Sequence, residues 1–361
     1  MPKIAIIGTT SFGITLGMVL ARCGNDISLW ARTKQEAIEL TRTGPNPVLT
    51  NGNCFPPRLS ITSSLSEALS KARAVILAPP SQRMRWNIKL VAKHITRSML
   101  IISAAKGLEI DSGKRMSQVI AEEINPDFRS NICALSGPNL SQEILNGLPA
   151  ATVVAADDEA VSRKAQKLLT AHNLCVFTNH DMLGVELGGS LKNIIALGAG
   201  ITDGLGYGDN AKAALITRGL TEMTALGVAL GANPITFAGL TGLGDLIATC
   251  ASPLSRNHYF GVELAKGRSL KEITDSMNES AGGTTPTGVA EGVTTTLAVW
   301  KIAKQMGLEM PITETIYKVL YEGADIHQAA DELMNAEAAH ELAGRRWKLF
   351  SALKARKSSK A

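Results

Sequence analysis

The first thirty-one residues constrain the fold more than any other stretch. Residues 3–7, Lys-Ile-Ala-Ile-Ile, are a short apolar run of the kind that forms a buried strand. Gly8-Thr9-Thr10-Ser11-Phe12-Gly13 follows, then a helical pattern to Cys23, a stop at Gly24 and a second apolar run over 26–31. Strand, glycine turn, helix, strand is the unit that seats a dinucleotide pyrophosphate at a helix N-terminus. Gly8 and Gly13 match the outer glycines of G-x-G-x-x-G, and Thr10 stands at the middle one. A Cβ there crowds the place where pyrophosphate approaches bare backbone. After the second strand, NAD-selective chains place an acid for the ribose 2′-hydroxyl. Here Trp30-Ala31-Arg32-Thr33-Lys34 contains none, and the first acid is Glu36. Arg32 and Lys34 either welcome a 2′-phosphate, which favours NADPH slightly over NADH, or form a solvated basic loop.

The alternation continues. Apolar runs at 74–78, 99–103, 132–135, 150–155 and 174–177 read as strands, with a helix over 159–170 and an irregular Pro- and Asn-rich loop over 43–58. This predicts an α/β fold: a Rossmann-like, doubly wound, mainly parallel sheet over residues 1–180. Beyond 180 no strand is evident, so 181–334 reads as an all-α domain and 335–361 as a basic tail. Lys106, in Ala104-Ala105-Lys106-Gly107, and the turn Ser136-Gly137-Pro138-Asn139 fall at strand carboxyl ends, the edge where such sheets bind ligands. A loop lysine there is equally a solvated one.

Composition narrows the class. At 361 residues, 45% apolar against 19% charged, the chain suits two domains with ample core. The net charge of +5 is concentrated at Arg345, Arg346, Lys348, Lys354, Arg356, Lys357 and Lys360, so the body requires no nucleic-acid partner. The tail is either solvated or a weak contact for anionic lipid headgroups. Five scattered cysteines without a C-x-x-C pair fit reduced thiols in the cytoplasm and no metal site. Neither a signal peptide nor a membrane-spanning run is apparent.

The second half carries the charged candidates. Residues 182–201, after Asp181 as N-cap, read as one helix with Leu187, Leu191, Ile194 and Gly198 on its packing face. Gly188 and Gly189 leave room for a ligand or another backbone, and the Lys192 stem leans back over them. A lysine in apolar surroundings is useful for acid–base work; it is equally one that snorkels to water. Residues 203–209 read as a loop and 210–230 as a helix. A glycine-rich turn over 237–246 delivers Asp245, which either holds a lysine or caps the next helix. Ser255 opens a helix with Arg256 and Asn257 in its first turn, which suits a phosphate or an ordinary cap. A Gly/Thr/Pro segment over 281–288 leads to Glu291, and 299–306 and 312–322 read as helices.

Taken together these motifs resemble the soluble, bacterial-type NAD(P)-dependent glycerol-3-phosphate dehydrogenase family over residues 3–333. The resemblance rests on A-K-G at 105–107, S-G-P at 136–138, V-E-L-G-G-x-L-K-N at 185–193 and G-D-N-A-K-A-A-L-I-T-R-G-L at 208–220. G-L-G-D at 242–245, S-P-L-S-R-N at 252–257, P-I-T-E at 311–314 and V-L-Y-E-G at 319–323 extend it. It implies reduction of dihydroxyacetone phosphate to sn-glycerol 3-phosphate for phospholipid synthesis, with NAD(P)H as cofactor and a homodimeric assembly. Lys192 becomes the proton donor, with Lys106 and Asp245 beside it. Lys106, Gly137, Asn139, Lys192, Asp245, Ser255, Arg256 and Asn257 surround the substrate. Gly8, Ser11, Phe12, Gly13, Arg32, Lys106, Ser141, Arg256, Val289 and Glu291 surround the cofactor. Three departures stand out: Thr10 for glycine, Asn139 and Ser141 for the usual serine and alanine, and a longer tail. Thr10 leaves open a non-catalytic dinucleotide-binding protein on this fold; a related hydroxy-acid dehydrogenase is the other alternative.

Overall fold

The computed structural model describes residues 2–46, 50, 52–280 and 290–335. Eight strands, β1 (Lys3–Ile7), β2 (Asp26–Trp30), β3 (Leu59–Thr62), β4 (Ala72–Leu77), β5 (Leu100–Ser103), β6 (Ile132–Ser136), β7 (Ala150–Ala155) and β8 (Leu174–Asn179), form one sheet. Their order is β3-β2-β1-β4-β5-β6-β7-β8, and every neighbouring pair is parallel except β6 with β7. β3 was not expected from the sequence. It is a four-residue edge strand with only its end residues buried, too short for an alternating pattern to show.

Helix α1 (Ser11–Arg22) and the apolar residues of β1, β2 and β4 build the core on one face of the sheet. A second core, with Met84, Ile88, Met116 and Ile120, covers the other face. From β1 the chain runs outward through β2 and β3, then crosses back to β4 on the other side of β1. The crevice at the carboxyl ends of β1 and β4 is therefore the topological switch point. Thr10 explains its own presence there. Its hydroxyl donates to the Ala78 carbonyl (2.8 Å) and accepts from the Gly13 N–H (3.2 Å), so it caps α1 with the side chain turned inward.

Beyond β8 the described residues are helical. α2 (Met182–Gly204) is buried on all sides from Gly184 to Ile201, as a helix at the centre of a helical core must be. Its N-cap Asp181 accepts from Gly184 N–H and also ties down Asn233 and Thr236. α2 extends through the expected loop to Gly204, and α3 (Gly208–Ala229) starts almost at once, leaving only residues 205–207 between them. Gly206 and Gly208, both at positive φ, make that turn tight.

The expected turn over 237–246 is also wound more tightly than the glycines suggested. A single π turn, Leu240–Gly244, leads into α4 (Asp245–Ala251). Gly242 permits it: a Cβ there would meet the Phe237 carbonyl oxygen at 2.1 Å. The stretch Pro234–Ala251 has the length and apolar character of a membrane span, but 44% of it is buried and it carries Asp245 inward. α5 (Arg256–Ala265) packs against α2 through a glycine contact, in which a Cβ on Gly261 would meet the Leu197 carbonyl oxygen at 2.1 Å. α6 (Glu291–Met306) completes this part of the site. The segment 281–288, Val289 and the tail beyond 335 lie outside the described residues.

Candidate active site

Two lysines from different halves of the chain meet on one carboxylate. Lys106 follows β5, and its Nζ donates to the Gly137 carbonyl (2.7 Å) and to Asp245 Oδ2 (2.6 Å). Lys192 projects from the buried middle of α2, and its Nζ donates to Asp245 Oδ1 (2.8 Å) and Thr249 Oγ1 (2.5 Å). Asp245 is 2% exposed and Lys192 8%, while Lys106 keeps 17% of its side chain open. Each carboxylate oxygen thus takes one ammonium, and the two cations are fixed side by side. The Gly188–Gly189 pair provides the space. A Cβ on Gly188 would meet the Thr241 backbone at 2.8 Å, and one on Gly189 would meet Ser136 Oγ at 2.2 Å, with the Lys106 stem just beyond.

The electrostatics follow from this burial. Desolvation, opposed by Asp245 and aided by the neighbouring Lys192 charge, brings the Lys106 ammonium down to about 8. Lys106 therefore remains an ammonium at neutral pH and loses its charge as pH rises through about 8. Asp245 stands at the first position of α4 and does not cap it.

Several residues that the sequence did not single out complete the arrangement. Thr249 lies one turn after Asp245, an i,i+4 spacing that shares a helix face. It accepts from Lys192 and directs its own hydrogen to the Asp245 carbonyl (2.6 Å). Ser190 holds the Lys106 loop by accepting from Gly107 N–H (2.9 Å). Asn193 accepts from Asn257 Nδ2 (2.9 Å), and Asn257 Oδ1 accepts from Gly292 N–H (2.9 Å). The Asn257 amide therefore stitches α2, α5 and α6 together.

Ser255 is the N-cap of α5, accepting from His258 N–H (3.2 Å). Arg256 beside it is exposed, and its charge reaches Glu291. Glu291 is half-buried, and desolvation raises its carboxyl above the usual range; the Ser81 N–H (3.1 Å) and hydroxyl (2.5 Å) counter this. Ser81 follows Pro79-Pro80 at the end of β4, so Arg256 and Glu291 meet the switch-point crevice from the helical side.

The remaining candidates line the sheet edge. Gly8, at φ +113°, lets the β1–α1 turn pass the β4 end: a Cβ there would lie 2.9 Å from Ala78 and Pro79 backbone atoms. Gly13 packs closer still, since a Cβ on it would meet the Gly8 carbonyl oxygen at 2.3 Å. Ser11 is exposed and Phe12 half-buried on the first turn of α1; Arg32 is exposed past the end of β2. Ser141 opens the short helix Ser141–Leu145. Asn139 donates to Thr152 Oγ1 (3.1 Å), but its Oδ1 is buried without a hydrogen-bond partner. An open cleft of about 630 Å³ beside Thr178, His180 and Gly231 lies at the N-terminal end of α2, away from Lys192 at its middle. Among the described residues no group of three or more His, Cys, Asp or Glu is placed to hold a metal.

Comparison with known proteins places this geometry in context. The profile of the NAD-dependent glycerol-3-phosphate dehydrogenase N-terminus matches residues 3–162, and that of the C-terminus matches 181–331. The chain is 60% identical over 361 residues to a glycerol-3-phosphate dehydrogenase (NAD(P)+) of Dehalococcoides mccartyi, covering 100% of this chain and 98% of that one. It is 43% identical over 335 residues to the protein of the same description from Geobacter metallireducens, covering 93% and 97%. The crystal structure of glycerol-3-phosphate dehydrogenase from Coxiella burnetii superposes with a TM-score of 0.85 at 34% identity, covering 92% of this chain and 98% of that one.

Proposed function

The chain belongs to the NAD-dependent glycerol-3-phosphate dehydrogenase family, and on that premise we propose which of its residues carry the reaction. The enzyme is an NAD(P)-dependent oxidoreductase that interconverts dihydroxyacetone phosphate and sn-glycerol 3-phosphate. The observation that carries the residue assignment is the single buried carboxylate of Asp245 gripping both Lys106 and Lys192.

When bound, NAD(P)H supplies a hydride to the ketone carbon. Negative charge then grows on the carbonyl oxygen, and the chain's task is to meet it. Lys192 gives that oxygen a proton and takes it back in the reverse direction. Lys106 stabilises the developing charge from the second side. Asp245 aims both ammonium groups, and Thr249 orients Lys192 without drawing a proton from it. The N-terminal turn of α5, with Ser255, Arg256 and Asn257, holds the substrate phosphate. Gly137 fixes Lys106, and Asn139, in the same turn after β6, belongs to the substrate's surroundings. The Gly8 turn, which packs against the Ala78 and Pro79 backbone only because it lacks a Cβ, would present the N-terminus of α1 to the pyrophosphate. Ser11, Phe12, Gly13, Ser141, Arg256 and Glu291 line the rest of the cofactor's path, and Arg32 with Lys34 supports use of NADPH beside NADH.

Residues 1–180 serve as the nucleotide-binding unit and 181–334 as the substrate unit, in a cytoplasmic homodimer that feeds phospholipid synthesis. Sedimentation equilibrium reads the assembly directly. The activity is tested by adding dihydroxyacetone phosphate to the purified chain with NADH or NADPH. Loss of reduced-cofactor absorbance is expected; no turnover with either cofactor overturns the reading.

A further inference from the structure

The acid that the end of β2 lacks in sequence is supplied in space by the next helix. Glu36 lies in the first turn of the helix Lys34–Thr43 and is only 8% exposed. Its Oε1 accepts from the Thr9 hydroxyl (2.6 Å), and its Oε2 accepts from the Arg32 N–H (3.0 Å). Thr9 belongs to the glycine turn after β1; Arg32 belongs to the loop after β2. The carboxylate therefore bridges the two loops between which a dinucleotide-binding sheet holds the adenosine ribose. The helix N-terminus favours a negative charge at this position. Arg32 and Lys34, both exposed, bring positive charge to the same rim.

We infer that Glu36 is the residue that discriminates a ribose 2′-hydroxyl from a 2′-phosphate, acting against Arg32 and Lys34. A fixed carboxylate offers an acceptor to a hydroxyl and repels a phosphate group bearing nearly two negative charges. The two basic side chains do the reverse. Opposed charges on one rim account for acceptance of both cofactors, with the balance set by a residue that the linear pattern places too late. The inference rests on the reading that a dinucleotide sits over the Gly8 turn.

Binding decides it without catalysis. Isothermal titration of the full-length chain with NAD+ and with NADP+ gives a ratio of dissociation constants. Glu36→Gln keeps the side chain's shape and removes its charge, and should shift that ratio toward NADP+ by about tenfold or more. Arg32→Ala should shift it the opposite way. If Glu36→Gln does not fold, Glu36→Ser is titrated instead, with the same shift expected. An unchanged ratio, or a shift toward NAD+, overturns the role of Glu36. Failure of the unmodified chain to bind either nucleotide would instead overturn the underlying cofactor reading. The ratio of kcat/KM with NADPH to that with NADH should move in parallel with the binding ratio.

Discussion

The sheet edge and the helical core build their halves of the site by different means. Along the sheet edge, recognition is largely backbone: the Gly8 turn at φ +113°, the cap made by Thr10 and the strand ends at Ala78 and Gly137. In the helical core it is buried charge: Lys192 and Asp245, both under 10% exposed, with Lys106 reaching across to them. A backbone site tolerates varied side chains provided its glycines remain. A buried charge cluster tolerates little, because each group is the solvent of the next.

That contrast can be broken in either half. The largest effect is expected from Asp245→Asn, which leaves two buried ammonium groups without their carboxylate. Stability should fall by about 3 kcal/mol in urea unfolding, and kcat by about 10²-fold or more, because removing one partner of a buried pair strands the other. Binding of NAD+ should change by less than about threefold, since most of the nucleotide's contacts lie along the sheet edge, with only Lys106 shared with Asp245. Gly8→Ala should do the opposite. Alanine is strained at that φ, and its Cβ would press on Ala78 and Pro79. Affinity for NAD+ should drop by about tenfold, equivalent to about 1.4 kcal/mol of strain. With saturating cofactor, kcat should be nearly preserved.

A smaller effect sharpens the comparison. Burial brings Lys106 down to about 8, so its ammonium is present below that pH and is lost as pH rises through it. The profile of kcat/KM for ketone reduction, which reports groups of the free enzyme, should show an alkaline limb near pH 8. The same desolvation disfavours the folded state below about 8 and is relieved as pH rises toward 10.5, the ordinary lysine value. A flat profile through this range would detach Lys106 from the chemistry.

How much of this was legible follows from what each feature depends on. The alternation of apolar runs made the sheet readable because strands buried on both faces are continuously apolar. β3 escaped because an edge strand of four residues leaves no such trace. Lys106, Lys192 and Asp245 stand out in sequence as charges set among small or apolar residues. Thr249 and Ser190 do not, because threonine and serine are common in helices and become informative only when a partner is in view. Glu36 is the sharpest case. Four residues beyond Arg32 in sequence, it folds back one helical turn to the end of β2, where the linear sequence has no acid. The turn over 237–246 misled for a related reason: Gly242 there serves close packing against Phe237, not freedom of the chain.

Lys192 acts with Lys106 on one ketone, while the sheet edge holds the nucleotide that reaches it. Steady-state reduction of dihydroxyacetone phosphate by Lys192→Ala, measured beside NAD+ titration of the same preparation, tests it most directly. A fall in kcat of about 10³-fold or more, with nucleotide affinity within about threefold of the unmodified chain, is the predicted result. Retention of more than about a tenth of the turnover would contradict it.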